Sequence, residues 1–230
     1  MTLYDNYIKQ IKSLLPQGKR FCSNDKTVAK SDKNAILLLR DTAYELGGSQ
    51  LPCVSTMAVS SSICFDDSVT VIGKDIYEIS KDSPFAKIVF IEIDDIDEEA
   101  AFDKIKELEL LRYKFCIDGL MTRASALSMR EQIRVSKKAV SSKLSFADYG
   151  SAIINEYKKN PLVKSVEVIF VTQLESFDEI SAVAERIKST TSALNHILDN
   201  VIFDCSTCNL KPICDEVDGM KELHFKKSKG

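Results

Sequence analysis

A chain of 230 residues, 44% apolar and 28% charged, has enough material for one large domain with a core of its own. A net charge of −3 gives no electrostatic footprint for nucleic acid, and no apolar run is long enough to span a bilayer or serve as a signal peptide. Seven cysteines, an odd number with three clustered at metal-binding intervals, argue against a secreted disulfide framework and for a reducing cytoplasm.

Leu3, Tyr7, Ile11, Leu14 and Leu15 fall at helical spacing, which predicts a short amphipathic helix over 3–15 that Pro16 and Gly18 end. Residues 19–33 are polar and read as a loop, with Cys22 in it as an ordinary thiol. Helix and loop make a first unit, 1–33. Residues 35–46 have helical propensity. Gly47 to Gln50 form a turn, and 53–65 are rich in Val, Thr and Ser, so a hairpin fits this stretch. Residues 69–73 read as a compact strand and 86–94 as a stronger one. The acidic run 94–99 suits the start of a helix over about 98–112, with Ala101, Ile105, Leu108 and Leu111 on one face.

Residues 113–129 are less regular. Ile133 and Val135 read as a strand running into a turn. A helix over 146–159 turns Ile153, Ile154 and Tyr157 inward, with Pro161 just past its end. Residues 165–172 alternate and then become wholly apolar, as a central strand does. A long helix over 176–196 carries Ile180, Val183, Ala184, Ile187, Ala193 and Leu194 as its inner stripe, and Val201 to Phe203 read as a last strand leading to Cys205. The order predicts an α+β fold: a mixed β-sheet with helices packed mainly on one face. Residues 34–224 form the main domain and 225–230 a frayed basic tail.

Two groups of residues carry candidate chemistry. Cys205 and Cys208 form a C-x2-C pair, Cys214 follows after five residues, and His224 stands ten positions beyond Cys214. Three thiolates and an imidazole suit a tetrahedral zinc ion, and equally an iron–sulfur cluster with one imidazole ligand. The plain alternative is a set of unligated buried thiols, with His224 a solvent residue. The second group is basic: Arg123, Arg130, Arg134, Lys137, Lys138 and Lys143. Arginine forks bind carboxylates and phosphates in pairs of hydrogen bonds, so coenzyme A or an acidic protein suits this stretch. A solvated charged face is the alternative. No phosphate-binding glycine loop, nucleophile elbow or HExxH is present, and His196 and His224 are the sole histidines, so no catalytic residue is assigned.

Several segments stand in one order along 34–224: DTAYELGG at 41–48, VTVIGKDI at 69–76, IVFIEI at 88–93, DGL at 118–120, RVSKKAV at 134–140, FADYG at 146–150, VEVIFVT at 166–172 and then the cysteine segment. Taken together they resemble the middle region of the beta subunit of the carbon monoxide dehydrogenase/acetyl-CoA synthase complex. The resemblance implies that Cys205, Cys208 and Cys214 fall on three of the four cysteines of a [4Fe-4S] cluster, with His224 at the place of the fourth. The gap from Cys208 to Cys214 is shorter than in that family. The Cys-Gly-Cys that holds the outer nickel has no counterpart before Gly230, so nickel and the complete acetyl-CoA condensation are not expected. The resemblance also implies that Arg123, Arg134 and Lys137 belong to a surface for coenzyme A or a partner. It places Met121 where the family often has a bulky aromatic, and it turns 41–46 from helix to strand.

The resulting expectation is an accessory or electron-transfer protein of anaerobic CO and acetyl-CoA metabolism, holding a cluster or metal through Cys205, Cys208, Cys214 and His224. An imidazole in place of a thiolate raises a cluster's potential. Its expected partners are carbon monoxide dehydrogenase, a ferredoxin or a corrinoid protein. Two rivals stand beside it: a zinc-stabilised module docking a partner or coenzyme A, and a CO-methylating acetyl-CoA synthase subunit active only with a partner.

Overall fold

The longest apolar runs of the chain form the middle of its larger sheet. A computed structural model describes residues 1–24, 40–47, 51–97, 100–114, 117–124, 131–198 and 211–217. Its elements run in the order α1 (Asp5–Leu14), β1 (Lys19–Cys22), β2 (Ala43–Leu46), β3 (Cys53–Ser60), β4 (Ser68–Ile72), β5 (Phe85–Ile93), α2 (Ala101–Lys114), β6 (Leu120–Ala124), β7 (Glu131–Ser136), α3 (Lys137–Ser141), α4 (Phe146–Tyr157), β8 (Val163–Val171), α5 (Asp178–Leu198) and α6 (Lys211–Glu216). Single 3-10 turns occupy Arg40–Thr42 and Ile76–Glu78.

Five strands form a mixed sheet in the order β1-β4-β8-β5-β3. β4 runs parallel to β8 and β3 parallel to β5, while β5 and β8 are antiparallel, as are β1 and β4. The mixed sheet and its helices make the α+β class expected from the sequence, but the helices lie on both faces rather than mainly on one. β5 and β8 are buried along almost their whole length because helices cover the sheet on both sides, and that is why they read as continuous apolar runs. On one face α4 packs against β4 and β8. Phe170 stacks there on Phe146 at 4.6 Å and on Tyr149 at 5.4 Å between ring centroids. Gly150 permits this contact, because a Cβ at that position would lie 2.5 Å from Val69. On the other face lies α1. Its Lys12 pairs with Glu167 at 2.6 Å and stands over the rings of Phe65 and Phe90. Phe90 and Glu167 are cross-strand partners, and strand alternation sends them away from Phe170.

The expected helices at the N-terminus and at α2, α4 and α5 are present, and so are the strands β4, β5 and β8. Every residue of the predicted α5 stripe is buried. Four local expectations are corrected. Residues 19–22 are not loop but the edge strand β1, paired with β4, and α1 lies in the same core as the sheet. The hairpin over 35–65 does not form: β3 pairs with β5, and β2 joins a second, antiparallel sheet in the order β2-β7-β6. The less regular stretch 113–129 contains β6, and the turn after Val135 is the short helix α3. β2 itself is the strand that the family resemblance implied. The expected strand at 201–203 lies outside the described residues.

Candidate functional site

The three-stranded sheet carries the basic residues singled out above. Its inner face, with Leu46, Leu120, Ile133 and Val135, belongs to the main core. The alternate positions bring Ala43 and Glu45 of β2, Arg134 of β7 and Met121 of β6 to the other face. Ala43 and Met121 make a small apolar cluster there, apart from the main core.

Arg134 donates a short hydrogen bond to the Glu45 carboxylate, and the two side chains are 15% and 11% exposed. They are cross-strand partners, so the sheet register sets the pair. Asp82 accepts from the Glu45 backbone N–H at 2.8 Å, and Leu46 bridges to Ser83, which ties β2 to the start of β5. Lys137 opens α3, whose first turn is capped by the Ser136 hydroxyl accepting from Ala139 N–H. Its ammonium stands 5.5 Å from the Tyr44 ring centroid. Arg123 lies on β6 opposite Gln132. Lys138 and Lys143 are exposed, and Arg130 lies outside the described residues.

Sequence reasoning named the cations and missed their partners. Glu45 and Tyr44 sit in adjacent positions of β2 and receive Arg134 and Lys137 respectively. The available signal was a single carboxylate in the otherwise uncharged AYEL strand.

The second candidate group is described in part. Cys205, Cys208 and His224 lie outside the described residues. Cys214 belongs to α6, of which the main chain and several other side chains are described. α6 packs against α5. Val217, just past α6, is 7% exposed within the main core, and Ile213 packs on that core. The Val217 N–H donates to the Ile213 carbonyl at 3.0 Å, closing this last turn. The segment carrying Cys214 is therefore anchored to the domain by two apolar side chains. Among the described residues, no group of three or more His, Cys, Asp or Glu side chains is placed to hold a metal ion.

Cys22, Cys53 and Cys64 carry thiols rather than disulfides. Cys64 sits 3.6 Å from Glu92, and that carboxylate pushes its thiol up, away from the reactive thiolate. Asp75 is a different kind of polar group, 4% exposed at the exit of β4. Its carboxylate accepts from the N–H groups of Ile76 and Phe146, both at 2.6 Å, so one side chain starts a 3-10 turn and the helix α4. Burial raises its pKa above the ordinary aspartate value, against those two hydrogen bonds. No helix among the described residues is long and apolar enough to cross a membrane.

A comparison with curated proteins finds no match. A comparison with known protein families matches residues 37–177 to the CO dehydrogenase/acetyl-CoA synthase complex beta subunit. The match takes in both sheets except β1 and includes Arg123, Arg134 and Lys137. It stops before Cys205. Because it covers more than half of the chain, the chain belongs to the CO dehydrogenase/acetyl-CoA synthase beta subunit family.

Proposed function

We propose that this member of the family holds an iron–sulfur cluster or a single metal ion through Cys205, Cys208, Cys214 and His224. It would serve acetyl-CoA synthase chemistry as an accessory or electron-transfer component. The observation that carries the reading is the family match over 37–177, followed in the chain by a four-donor set. Three thiolates and one imidazole fit a [4Fe-4S] cluster or a tetrahedral zinc ion. The anchoring of α6 through Ile213 and Val217 supports the same reading, since it ties the Cys214 segment to a rigid body. A bound cluster would supply reversible one-electron transfer. This chain's part is to set its charge, and a neutral imidazole favours the reduced state. The partner is then another component of the complex, carbon monoxide dehydrogenase first, or a ferredoxin or corrinoid protein. The thiolates call for a reducing compartment, the cytoplasm.

The test is purification without oxygen, followed by metal and acid-labile sulfide analysis. Iron and sulfide in comparable amounts, lost in Cys205→Ala and Cys208→Ala, establish the cluster. Stoichiometric zinc that survives dialysis, with unfolding in chelator, selects the zinc module instead. Protein that stays colourless after reconstitution and retains no zinc overturns both.

A second reading assigns coenzyme A or an acidic partner to Arg123, Arg134 and Lys137. What supports it is the exposure of Lys137 and Lys138 at the start of α3, which follows directly on the strand that carries Arg134. An incoming phosphate would take Lys137 from the Tyr44 ring. Calorimetric titration with coenzyme A, repeated on the K137E/K138E variant, checks it. Equal heats for both proteins would remove it.

A further inference from the structure

Lys143 holds a backbone conformation that its side chain disfavours. Among the described residues it is the one non-glycine with a positive φ, 62°. It closes the short helix α3: the Lys143 N–H donates to the Val140 carbonyl and the Leu144 N–H to the Ala139 carbonyl, both at 3.1 Å. The left-handed position of this closure is usually glycine, because a Cβ there is strained. A lysine costs the fold stability that a glycine would keep. Strain that persists in a native chain points to a use for the side chain.

That side chain is an uncommitted cation. Lys143 is exposed and has no ion-pair partner among the described residues, and the same holds for Lys138. Lys137, also exposed, stands over the Tyr44 ring. Residues 132–147 contain no Asp or Glu, in a chain whose net charge is −3. The lysines of α3 thus make a face of one sign on a protein of the other. The 3-10 turn Ile76–Glu78 packs against α3. The carboxylates at that turn are bound to backbone: Asp75 accepts from the Ile76 and Phe146 N–H groups, and Glu78 accepts from the Asp75 N–H at 2.8 Å. The turn also carries Tyr77, at 43% one of the two large apolar side chains exposed among the described residues.

The kind of cation selects the kind of partner. The fork able to hold one phosphate in paired hydrogen bonds is Arg134, and it is committed to Glu45. The remaining groups are ammonium ions, point charges on flexible stems. Lys137 and Lys143 bracket α3, on the order of 10 Å apart at helical rise. That spread suits several separate carboxylates rather than one compact anion.

We propose that α3, with Lys137, Lys138 and Lys143 as its cations and Tyr77 as its aromatic neighbour, docks an acidic segment of a partner protein. Docking of this kind rests on the second reading above in its acidic-partner form, and adds Lys138, Lys143 and Tyr77 to the surface.

The experiment is an amide NMR titration of the full chain at low salt with an octaglutamate peptide, and with a serine–glycine octapeptide as neutral control. Saturable shifts are expected at Tyr77, Lys138, Ser141 and Lys143 for octaglutamate, and none for the control. Lys143→Gly removes the cation and keeps the turn. Its melting temperature should rise by about 2 °C, since glycine fits the left-handed position. Its affinity for octaglutamate should fall about three-fold, the effect of one exposed ion pair. Three results would each overturn the proposal: no saturation below about 10 mM octaglutamate, shifts spread evenly over Lys9, Lys188 and Lys211, or a Lys143→Gly variant that binds as tightly as the parent. Coenzyme A titrated in the same way separates the two readings. Binding of coenzyme A that K137E/K138E abolishes, with no octaglutamate site, would leave the second reading standing and this inference overturned; binding of neither ligand would remove both.

Discussion

The two sheets of this protein are held by different physics. The five-stranded sheet is apolar through its middle, covered on both faces, and knitted by a run of aromatic rings, Phe85, Phe146, Tyr149 and Phe170. The three-stranded sheet has one face in that core, where Tyr44 also lies with a cation over its ring, and one face built on a nearly buried ion pair and the small apolar cluster of Ala43 and Met121. Apolar packing is tolerant of chemistry and strict about volume. A buried ion pair is the reverse, costly to desolvate and damaging when half removed. The larger sheet therefore reads as scaffold, and the smaller one carries the groups able to meet a charged ligand.

The largest expected effect tests the scaffold. Phe170 is fully buried and stacks on three rings, so Phe170→Ala should destabilise the protein by about 4 kcal/mol through lost burial and the cavity left behind. Urea unfolding measures it. A loss under about 1 kcal/mol would show that the core collapses around the gap and that the ring cluster is not what holds α4.

The same contrast explains what could be read from the sequence. β5, β8 and α5 were legible because burial on both faces, or along one helical stripe, writes a pattern that needs no partner to interpret. β1 and β6 were not. Lys19–Cys22 and Leu120–Ala124 are short and carry charged residues, and only their register with β4 and β7 makes them strands. β2 is the instructive case. Its AYEL sequence suits a helix, and pairing of Ala43 through Leu46 with Ser136 through Ile133 overrides that propensity. At the basic surface the cations could be found from sequence, whereas their pairing with Glu45 and Tyr44 depended on that same register. The cysteine set could be named from spacing alone, and of it the structure describes the α6 main chain at Cys214.

Next in size comes a polar group inside the scaffold. Asp75→Ala strips the acceptor from two backbone N–H groups and should cost about 3 kcal/mol. Asp75→Asn keeps an acceptor oxygen and removes the titration. Because burial raises the folded-state pKa, the protonated form is favoured on folding. Asp75 thus contributes stability that is full below its unfolded value, about 3.9, and is lost as pH rises through the folded value. The wild type should lose stability relative to Asp75→Asn from about pH 4 upward. Paired urea curves at several pH values check the sign; wild-type stability that holds or rises relative to Asp75→Asn as pH increases above about 4 would refute the assignment.

The smaller sheet should respond differently. Glu45→Ala leaves Arg134 nearly buried without its carboxylate and should cost about 2 kcal/mol, less than a fully buried pair because both side chains keep some contact with water. Replacing both, as E45L/R134M, should recover most of that loss. A double replacement no better than the single one would mean that the pair does more than satisfy itself. It would also erase the contrast drawn between the two sheets.

The smallest effect concerns Lys137, at the rim of that sheet. A cation over a ring in an exposed position is worth about 0.5 kcal/mol, so Lys137→Gln should change stability by that much or less. The cycle through Tyr44→Leu should show a coupling of the same size, about 0.5 kcal/mol, because the interaction needs both partners. Tyr44→Phe should leave it intact, since the ring and not the hydroxyl faces the ammonium. The value of the measurement lies in its smallness. A lysine that contributes little to folding and stands exposed is available for a ligand. A loss as large as that of Glu45→Ala would instead make Lys137 part of the sheet's own architecture, and the anionic ligand would have to be sought elsewhere.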